Sequence, residues 1–456
     1  MNNPKMQAMK KSLLLIAALI LLNGSVFSQW VPKSIGLLPE GYGVVQMQAA
    51  NNSVIYALAS DYLQWMVGFP ISPTTLVCIL KSSDGGDNWS IDTVTIATGS
   101  IPMDLMVVDE NTVYFTGMDS SSNFLLFYTT DGGSSWNYKV QEQVANSIGM
   151  FIKAFDSNNF LSFGWGQMVA TSDDSGSTWK ARTTPAMLPG EFFYVCSGTN
   201  DIAIQSNHAW VPTSKGRVFT STDKGITWSI YNSSLYPNRC IHTIAFTDSL
   251  HGIVGSSFTN APTIAPTMLA GTSDGGLTWN NLSAPPRYIE NLTSVPGQAG
   301  TYIAVADTQV TQPGSMYTLD YGNSWTIIDS VNFYNSVTFF DQTHGWAGLG
   351  KPAEANSPAI YKWGGPAVGS SNISVNNAKT KVFPNPTNDQ ITVFNIYGTS
   401  DKTDISVFNF VGKRMMTCQI IKQNSAVLDV SRLEAGVYFI KLQSETEVKV
   451  LKFIKN

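Results

Sequence analysis

GTSDGGLTW (residues 271–279) is one of six copies of a short phrase that decides the fold of this chain. Each copy has a Ser or Thr, an Asp two positions later, a Gly two positions after the Asp, and then a Trp. The other copies are KSSDGGDNW (81–89), YTTDGGSSW (128–136), TSDDSGSTW (171–179), TSTDKGITW (220–228) and YTLDYGNSW (317–325). Successive tryptophans are 47, 43, 49, 51 and 46 residues apart. A period of this length indicates one repeated supersecondary unit, as in a solenoid or a propeller.

Each repeat contains four predicted strands. In the repeat around Trp279, residues 239–258 hold two alternating apolar runs separated by a turn. Residues 268–279 then give a third strand with its Asp phrase, and NNLSAP (280–285) gives a short fourth. Four strands in about 45 residues is the size of one blade of a β-propeller. The sequence therefore predicts an all-β fold.

The blade count follows from a mismatch, because seven strand-opening segments accompany only six Asp phrases. The seventh unit ends at Trp363 without a fourth strand, and Gln29, Trp30 and Val31 stand before the first blade. We therefore expect the N-terminal strand to complete the last of seven four-stranded blades, which would also cover an open sheet edge. Six or eight blades are the alternatives.

Residues 1–28 are predicted to be a signal peptide. Lys5, Lys10 and Lys11 precede an apolar run at 13–22, which is too short to span a bilayer, so the mature chain would begin at Gln29. A membrane-anchored signal is the alternative. The four cysteines have no metal-ligand spacing, and we predict neither a metal nor a cofactor. In an oxidising compartment Cys196 and Cys240 could form a disulfide, and buried free thiols are the other interpretation.

The six Asp phrases give residues 29–363 a resemblance to the Asp-box, or BNR-repeat, propellers, which include sialidases, sortilin ectodomains, some xyloglucanases and photosystem II assembly-factor-like proteins. The resemblance implies that the boxes are peripheral and lie away from the face that binds substrates. A carboxylate at such a turn can accept backbone N–H bonds, and the Gly can adopt a positive φ. We expect a structural role for the six box aspartates, Asp84, Asp131, Asp174, Asp223, Asp274 and Asp320.

A second module follows a predicted flexible linker at 364–378. Residues 29–378 contain 13 Lys or Arg against 25 Asp or Glu, whereas residues 379–456 contain 11 against 7. Such asymmetry indicates two domains with separate roles. The short alternating strands of 379–456 predict a small Ig-like antiparallel β-sandwich.

This second module resembles the C-terminal sorting domain of type IX secretion cargo (Por secretion type A) of Bacteroidetes-type bacteria. The matching positions are Pro384, Asn385, Pro386, Gly412, Lys413, Gly436 and Tyr438. The resemblance implies recognition by the type IX machinery, passage through the periplasm and across the outer membrane, and either release or attachment at the cell surface. An ordinary Ig-like adhesion domain is the alternative.

Enzymatic activity stays uncertain from the sequence, and a non-enzyme is favoured. A sialidase needs several arginines around the substrate carboxylate, whereas the propeller has only four, Arg182, Arg217, Arg239 and Arg287. A polysaccharide-active glycoside hydrolase of the Asp-box type is the alternative, although no carboxylate pair at hydrolytic separation can be identified and the catalytic residues are unknown. Excess negative charge on the propeller argues against nucleic acid.

The propeller interpretation places a binding site at the mouth of the central channel, where the innermost strands begin. Aromatic and charged side chains at these positions suit a glycan or protein ligand. The candidates are Tyr42, Asp104, Glu191, Arg239, His242, Arg287, Tyr288, Glu290 and Tyr334. The alternatives are core packing between blades, and a surface spacer without a ligand.

Overall fold

The structure is a computed structural model that describes most of the chain in sixteen segments. They are residues 29–61, 76–95, 101–118, 124–140, 151–164, 168–193, 202–237, 240–256, 267–306, 313–350, 357–364, 381–394, 402–409, 414–421, 425–443 and 448–456. Every regular element in them is a β-strand. The chain divides into two compact units, residues 1–369 and 370–456, and the division falls within the predicted linker. The predicted signal peptide lies outside the described residues.

The described part of the first unit contains seven four-stranded antiparallel sheets, which we number as blades in chain order. Strand β1 (Trp30–Ile35) comes first but belongs to blade 7. The other strands, from the innermost outward, are β2 (Tyr42–Ala49), β3 (Ile55–Asp61), β4 (Leu76–Ser82) and β5 (Ser90–Thr95) in blade 1; β6 (Ile101–Val107), β7 (Val113–Met118), β8 (Phe124–Thr129) and β9 (Asn137–Val140) in blade 2; β10 (Phe151–Ala154), β11 (Phe160–Gly164), β12 (Met168–Ser172) and β13 (Lys180–Arg182) in blade 3; β14 (Ala203–Gln205), β15 (His208–Pro212), β16 (Arg217–Ser221) and β17 (Ser229–Asn232) in blade 4; β18 (Ile241–Phe246), β19 (Gly252–Ser256), β20 (Met268–Thr272) and β21 (Asn280–Asn281) in blade 5; β22 (Asn291–Ser294), β23 (Tyr302–Ala306), β24 (Gly314–Thr318) and β25 (Thr326–Asp329) in blade 6; and β26 (Tyr334–Phe339), β27 (Gly345–Leu349) and β28 (Pro358–Trp363) in blade 7. The predicted all-β propeller is confirmed, and the number of blades in the closed ring stays a prediction.

The core of the propeller lies between the blades. Strands β11, β19, β23 and β27, each the second of its blade, are buried along their whole length. Side chains alternate between the two faces of a strand, so such burial means that both faces of a blade are covered. Trp210 of blade 4, for example, stacks on Phe246 of blade 5 with ring centroids 3.7 Å apart. The outermost strand β9 is exposed throughout.

Polar side chains on the innermost strands bind the backbone of the next blade. Such bonds cross six junctions in the described part of the chain: Gln46 Nε2 donates to Met103 O, Ile152 N to Asp104 Oδ2, Gln205 Nε2 to Phe246 O, Leu292 N to Thr243 Oγ1, Asn291 Nδ2 to Asn335 O, and Asn335 Nδ2 to Val44 O. Buried backbone groups need partners, and a side chain from the neighbouring blade supplies one here. We call this set the inner polar ring.

The N-terminal strand completes blade 7. Strand β1 pairs antiparallel with β28, with Trp30 opposite Trp363. The Trp30 side chain is buried, its ring lies 5.8 Å from that of Tyr334, and its indole N–H donates to Ser315 Oγ of blade 6 at 2.9 Å. The predicted closure of the last blade by the N-terminal strand is therefore confirmed.

The second unit is a two-layer antiparallel sandwich. One sheet has the order β29-β30-β33 and the other the order β32-β31-β34-β35. The strands are β29 (Lys381–Phe383), β30 (Gln390–Phe394), β31 (Lys402–Asn409), β32 (Arg414–Ile421), β33 (Ser425–Asp429), β34 (Gly436–Gln443) and β35 (Val448–Lys455). Val393, Val407, Ile440 and Phe453 are fully buried in the apolar core between the sheets. This core agrees with the alternating pattern of the sequence.

Candidate functional site

The propeller has two chemically different ends. In an up-and-down blade the turn between the third and fourth strands lies at one end, and the connection from the fourth strand to the next blade lies at the other. The Asp phrases occupy the first end. Residues 282–290 and 330–333 are connections of the second kind, and we call the end that carries them the connection face.

Arg287 is fixed between two parts of blade 6 on the connection face. Its Nη1 donates to Pro313 O at 2.9 Å, and its Nη2 donates to Ser330 Oγ at 2.8 Å. The residue is half-buried, and its Nε atom is buried without a hydrogen bond among the described residues. These two bonds fix the plane of the guanidinium.

His242 and Tyr288 form a stacked pair at the junction of blades 5 and 6. Their ring centroids are 6.1 Å apart and their planes differ by 7°. Buried His242 donates its Nε2–H to Ile289 O at 2.8 Å, and burial lowers its pKa to about 4. Glu290, which follows, is half-buried, and its N–H donates to Val305 O. Four predicted residues, His242, Arg287, Tyr288 and Glu290, thus occupy one junction between blades.

Asp104 does not belong to a binding mouth. Its side chain is completely buried and accepts bonds from Ile152 N at 2.9 Å and from Lys153 Nζ at 2.6 Å. A buried carboxylate needs such partners, and these ones hold blade 2 to blade 3. The prediction that Asp104 contacts a ligand is corrected to a place in the inner polar ring.

Glu191 is also engaged inside the fold. It forms a bidentate ion pair with Arg217 and accepts bonds from Thr213 Oγ1 and from Leu188 N. Burial is the largest single influence and would raise its pKa, but the bonds from Arg217, Leu188 N and Thr213 together outweigh burial and lower that pKa. The buried ion pair attaches residues 183–193 to strand β16, so the predicted mouth position is corrected to a structural one.

The remaining predicted mouth residues divide among three surroundings. Tyr334 is completely buried beside Trp30 and Tyr361, so it is corrected from a ligand contact to a core residue. Tyr42 is half-buried, and its hydroxyl accepts from Leu76 N at 3.2 Å. Arg239 lies outside the described residues, as does Cys196, so the Cys196–Cys240 disulfide stays a prediction.

The box aspartates share one turn geometry. In all six phrases Oδ1 accepts from the hydroxyl two positions earlier and from the backbone N–H four positions later, while Oδ2 accepts from the side chain of that later residue, all at 2.6–2.9 Å. These bonds lower the pKa of Asp84, Asp131 and Asp174 to about 2. Each carboxylate is thus used within its own turn.

Sequence reasoning missed the cationic partners of both buried carboxylates. Lys153 and Arg217 stand 49 and 26 positions from Asp104 and Glu191, so no local spacing indicates either pair. It also missed Phe192, which is 47% exposed although its backbone is held by two hydrogen bonds to Ser214. The available signal for the two ion pairs was a charged residue, Asp104 or Glu191, in an otherwise apolar strand opening. That signal was interpreted as ligand binding.

The FPNP segment (residues 383–386) of the second unit covers part of a sheet edge. Asn385 Oδ1 accepts from Ile454 N at 2.9 Å, and its Nδ2 donates to Lys452 O at 3.1 Å. Thr387 continues the pairing through Ile454 O and Asn456 N. Tyr438 is buried against Phe453 and donates to Glu434 O, whereas Gly412 and Lys413 lie outside the described residues.

Two further kinds of site were sought within the described segments. They contain no group of three or more His, Cys, Asp or Glu side chains able to hold a metal ion. They also contain no helix long and apolar enough to cross a membrane.

Two protein-family models match parts of this chain. Residues 381–456 match the family described as the secretion system C-terminal sorting domain, and residues 82–234 match the photosynthesis system II assembly factor YCF48 family. The predicted resemblance to a BNR-type propeller followed by a type IX sorting domain is confirmed. The sorting domain supports a secreted or cell-surface location for the chain.

Three solved structures are similar to this chain, and the first of them supports the propeller fold. "YCF48 bound to D1 peptide" is 15% identical with a TM-score of 0.52, and the match covers 75% of this chain and 98% of that one. YCF48 from Cyanidioschyzon merolae is 12% identical with a TM-score of 0.49, covering 73% and 98%. The GH74 xyloglucanase from Xanthomonas campestris is 11% identical with a TM-score of 0.49, covering 93% and 67%. No curated protein sequence matches the chain.

Proposed function

We propose that this protein is an exported propeller that binds a glycan or protein ligand on its connection face, beside Arg287 and Tyr288. The domains would be a signal peptide at 1–28, the propeller at 29–363, a flexible linker at 364–378 and a sorting domain at 379–456. Export would run through the periplasm and the type IX machinery. Two observations at consecutive residues carry the binding role: the fixed Arg287 guanidinium and the Tyr288 ring stacked on His242.

The chemistry of this junction suits recognition. Arg287 offers a guanidinium whose orientation is already set by Pro313 and Ser330, so little side-chain entropy is lost when it binds. Tyr288 is half-buried and has one ring face toward His242. Arginine and tyrosine are enriched among the residues that dominate binding energy at protein interfaces, and aromatic rings also stack on sugars.

A protein ligand is supported by the comparison with YCF48, because one of the similar solved structures is of YCF48 bound to D1 peptide. Hydrolysis is a weaker proposal. Asp104 and Glu191, two of the predicted carboxylates, are paired with Lys153 and Arg217 and are not poised at a sugar.

The test is a binding and hydrolysis screen of the chain from Gln29 onward against glycans, polysaccharides and peptides. Arg287→Ala and Tyr288→Ala should each weaken binding of any hit by about fivefold or more, as expected for a residue at the centre of an interface. Arg182→Ala is the matched control, because Arg182 lies on the outermost strand of blade 3 and donates to Thr171. Equal losses in all three variants would contradict the placement, and release of reducing sugar would favour a hydrolase.

A further inference from the structure

One cross-strand row on the sorting domain is both aromatic and cationic. In the four-stranded sheet, Arg414 pairs with Phe408 next to a β-bulge at Met415, Phe408 pairs with Phe439, and Phe439 with Lys452. Directly paired residues of antiparallel strands place their side chains on the same face. The row therefore crosses all four strands, with a cation at each end and two phenylalanines in the middle.

This row lies on the outer face of the sheet. The neighbouring residues Val407 and Ile440 point the other way and are completely buried in the sandwich core. Phe439 is 36% exposed, and Arg414 and Lys452 are also exposed. Two positions along, Val437 pairs with Ile454, which is 39% exposed and extends the apolar surface. A solvated sheet face normally carries polar side chains, so these residues need an explanation beyond folding.

We propose that this outer face, defined by Phe408, Arg414, Phe439, Lys452 and Ile454, is the surface by which a protein component of the export machinery recognises the chain. The partner would offer an apolar groove with carboxylates at its two sides, because the cations flank the aromatic pair. This inference rests on the export role proposed above and adds the part of the domain that carries it.

The composition of the face favours a protein partner over a membrane surface. Aromatic residues and Arg are enriched at protein interfaces. The same face includes the hydroxyls of Ser406 and Thr417, 3.3 Å apart, and the carboxylate of Asp404, which accepts from Gln419. Lys441, which pairs with Ser406, lies in the same surround. Hydroxyls and groups of both charges suit the polar rim of a protein interface, whereas a membrane surface is recognised by clusters of like positive charge.

The opposite sheet provides a matched control. Phe383 and Val427 are 68% and 62% exposed on the outer face of the three-stranded sheet, where both lie in one row with Thr392. These side chains are more exposed than Phe439, and one of them is the same residue type. If exposed apolar area alone were recognised, changes at either face would have the same effect.

The experiment expresses the full chain in a bacterium with a type IX system and measures the fraction that leaves the periplasm. Phe439→Gln and Lys452→Glu should each lower the exported fraction by about fivefold or more, which is the loss typical of a central interface residue. Phe383→Gln and Val427→Gln should leave export unchanged. Circular dichroism and protease resistance of the purified variants report whether they fold. If Phe439→Gln unfolds, Lys452→Glu still tests the face, because it changes a charge and removes no apolar contact.

Four results would count against the inference, and one of them would also refute the export role. Normal export of both face variants, or equal losses in the control variants, would exclude this face. Deletion of residues 370–456 should abolish export, and export that persists without them would refute the export role itself. If the deletion abolishes export but both face variants are exported normally, only the proposed face is refuted. If the full chain binds anionic lipid vesicles and Lys452→Glu abolishes that binding, the face recognises a membrane and not a protein partner.

Discussion

Trp30 and Trp363, at opposite ends of the propeller sequence, lie opposite each other in adjacent strands of blade 7, and their rings meet edge to face with centroids 5.1 Å apart. The first strand of the propeller thereby covers the strand that ends it. The other three strands of blade 7 are the last three of the propeller in sequence, so β1 joins the two ends of the propeller by strand pairing and aromatic packing.

Removing the Trp30 side chain should open this closure. Trp30→Ala leaves a cavity among Tyr334, Phe339 and Trp363 and orphans the Ser315 bond, so we expect a loss of about 3–5 kcal/mol in the free energy of unfolding. Denaturant titration of the chain from Gln29 onward measures this loss. Val31→Ala, at a position that is 40% exposed on the same strand, is the control. Equal stability of the two variants would argue against the closure.

The buried pair Asp104–Lys153 should matter more than an ion pair at the surface. Asp104→Ala leaves Lys153 and Ile152 N without their partner, and breaking a buried pair typically costs about 3–5 kcal/mol. Asp87→Ala removes exposed pairs to Lys33 and Lys362 and should cost less than about 1 kcal/mol. Thermal unfolding of both variants gives the comparison. A similar small shift for both would show that the inner polar ring contributes little stability.

The box turns should weaken in acid. The folded-state pKa of Asp131 is lowered to about 2, first by the hydroxyl of Ser135 and then by its N–H. A lowered carboxyl pKa contributes stability that is complete above the unfolded-state value of 3.8 and is lost as the pH falls toward 2. Asp131→Asn should therefore be less stable than the parent at pH 6, and the difference should shrink between pH 4 and 2. A difference in melting temperature that stays constant over this interval would contradict the assignment.

Buried His242 should destabilise the propeller in mildly acidic solution. Its pKa falls from 6.5 to about 4 on folding because burial disfavours the charged form. The unfolded chain therefore binds the proton first, and stability should decline from about pH 6.5 down to pH 4, at about 1.4 kcal/mol for each unit of pKa difference.

The measurement for His242 is the denaturation midpoint across this pH range. His242→Gln can still donate to Ile289 O but cannot ionise, so its midpoint should change less than that of the parent between pH 6.5 and 4. If both proteins respond alike, another group is responsible for the acid response.

The sequence alone determined the repeated part of the architecture. The Asp phrase is a local signal, since its Ser or Thr, Asp and later polar residue all bond within one turn, so the period between phrases could be converted into blades. The last unit lacks an Asp phrase and a fourth strand, and this absence predicted that the strand of Trp30 completes blade 7. Alternation in residues 379–456 likewise predicted the sandwich, because the side-chain period of a strand is local.

Only the tertiary structure decided which of the predicted site residues are buried and paired inside the fold. Asp104, Glu191 and Tyr334 stand at strand openings like those of Arg287 and Tyr288, and the sequence treats all five alike. The difference arises from partners in other blades, such as Lys153, Arg217 and Trp30, whose distance along the chain leaves no periodic trace. Burial and pairing between distant residues are properties of packing, so the division between inner polar ring, core and half-buried junction appears only once the blades are assembled.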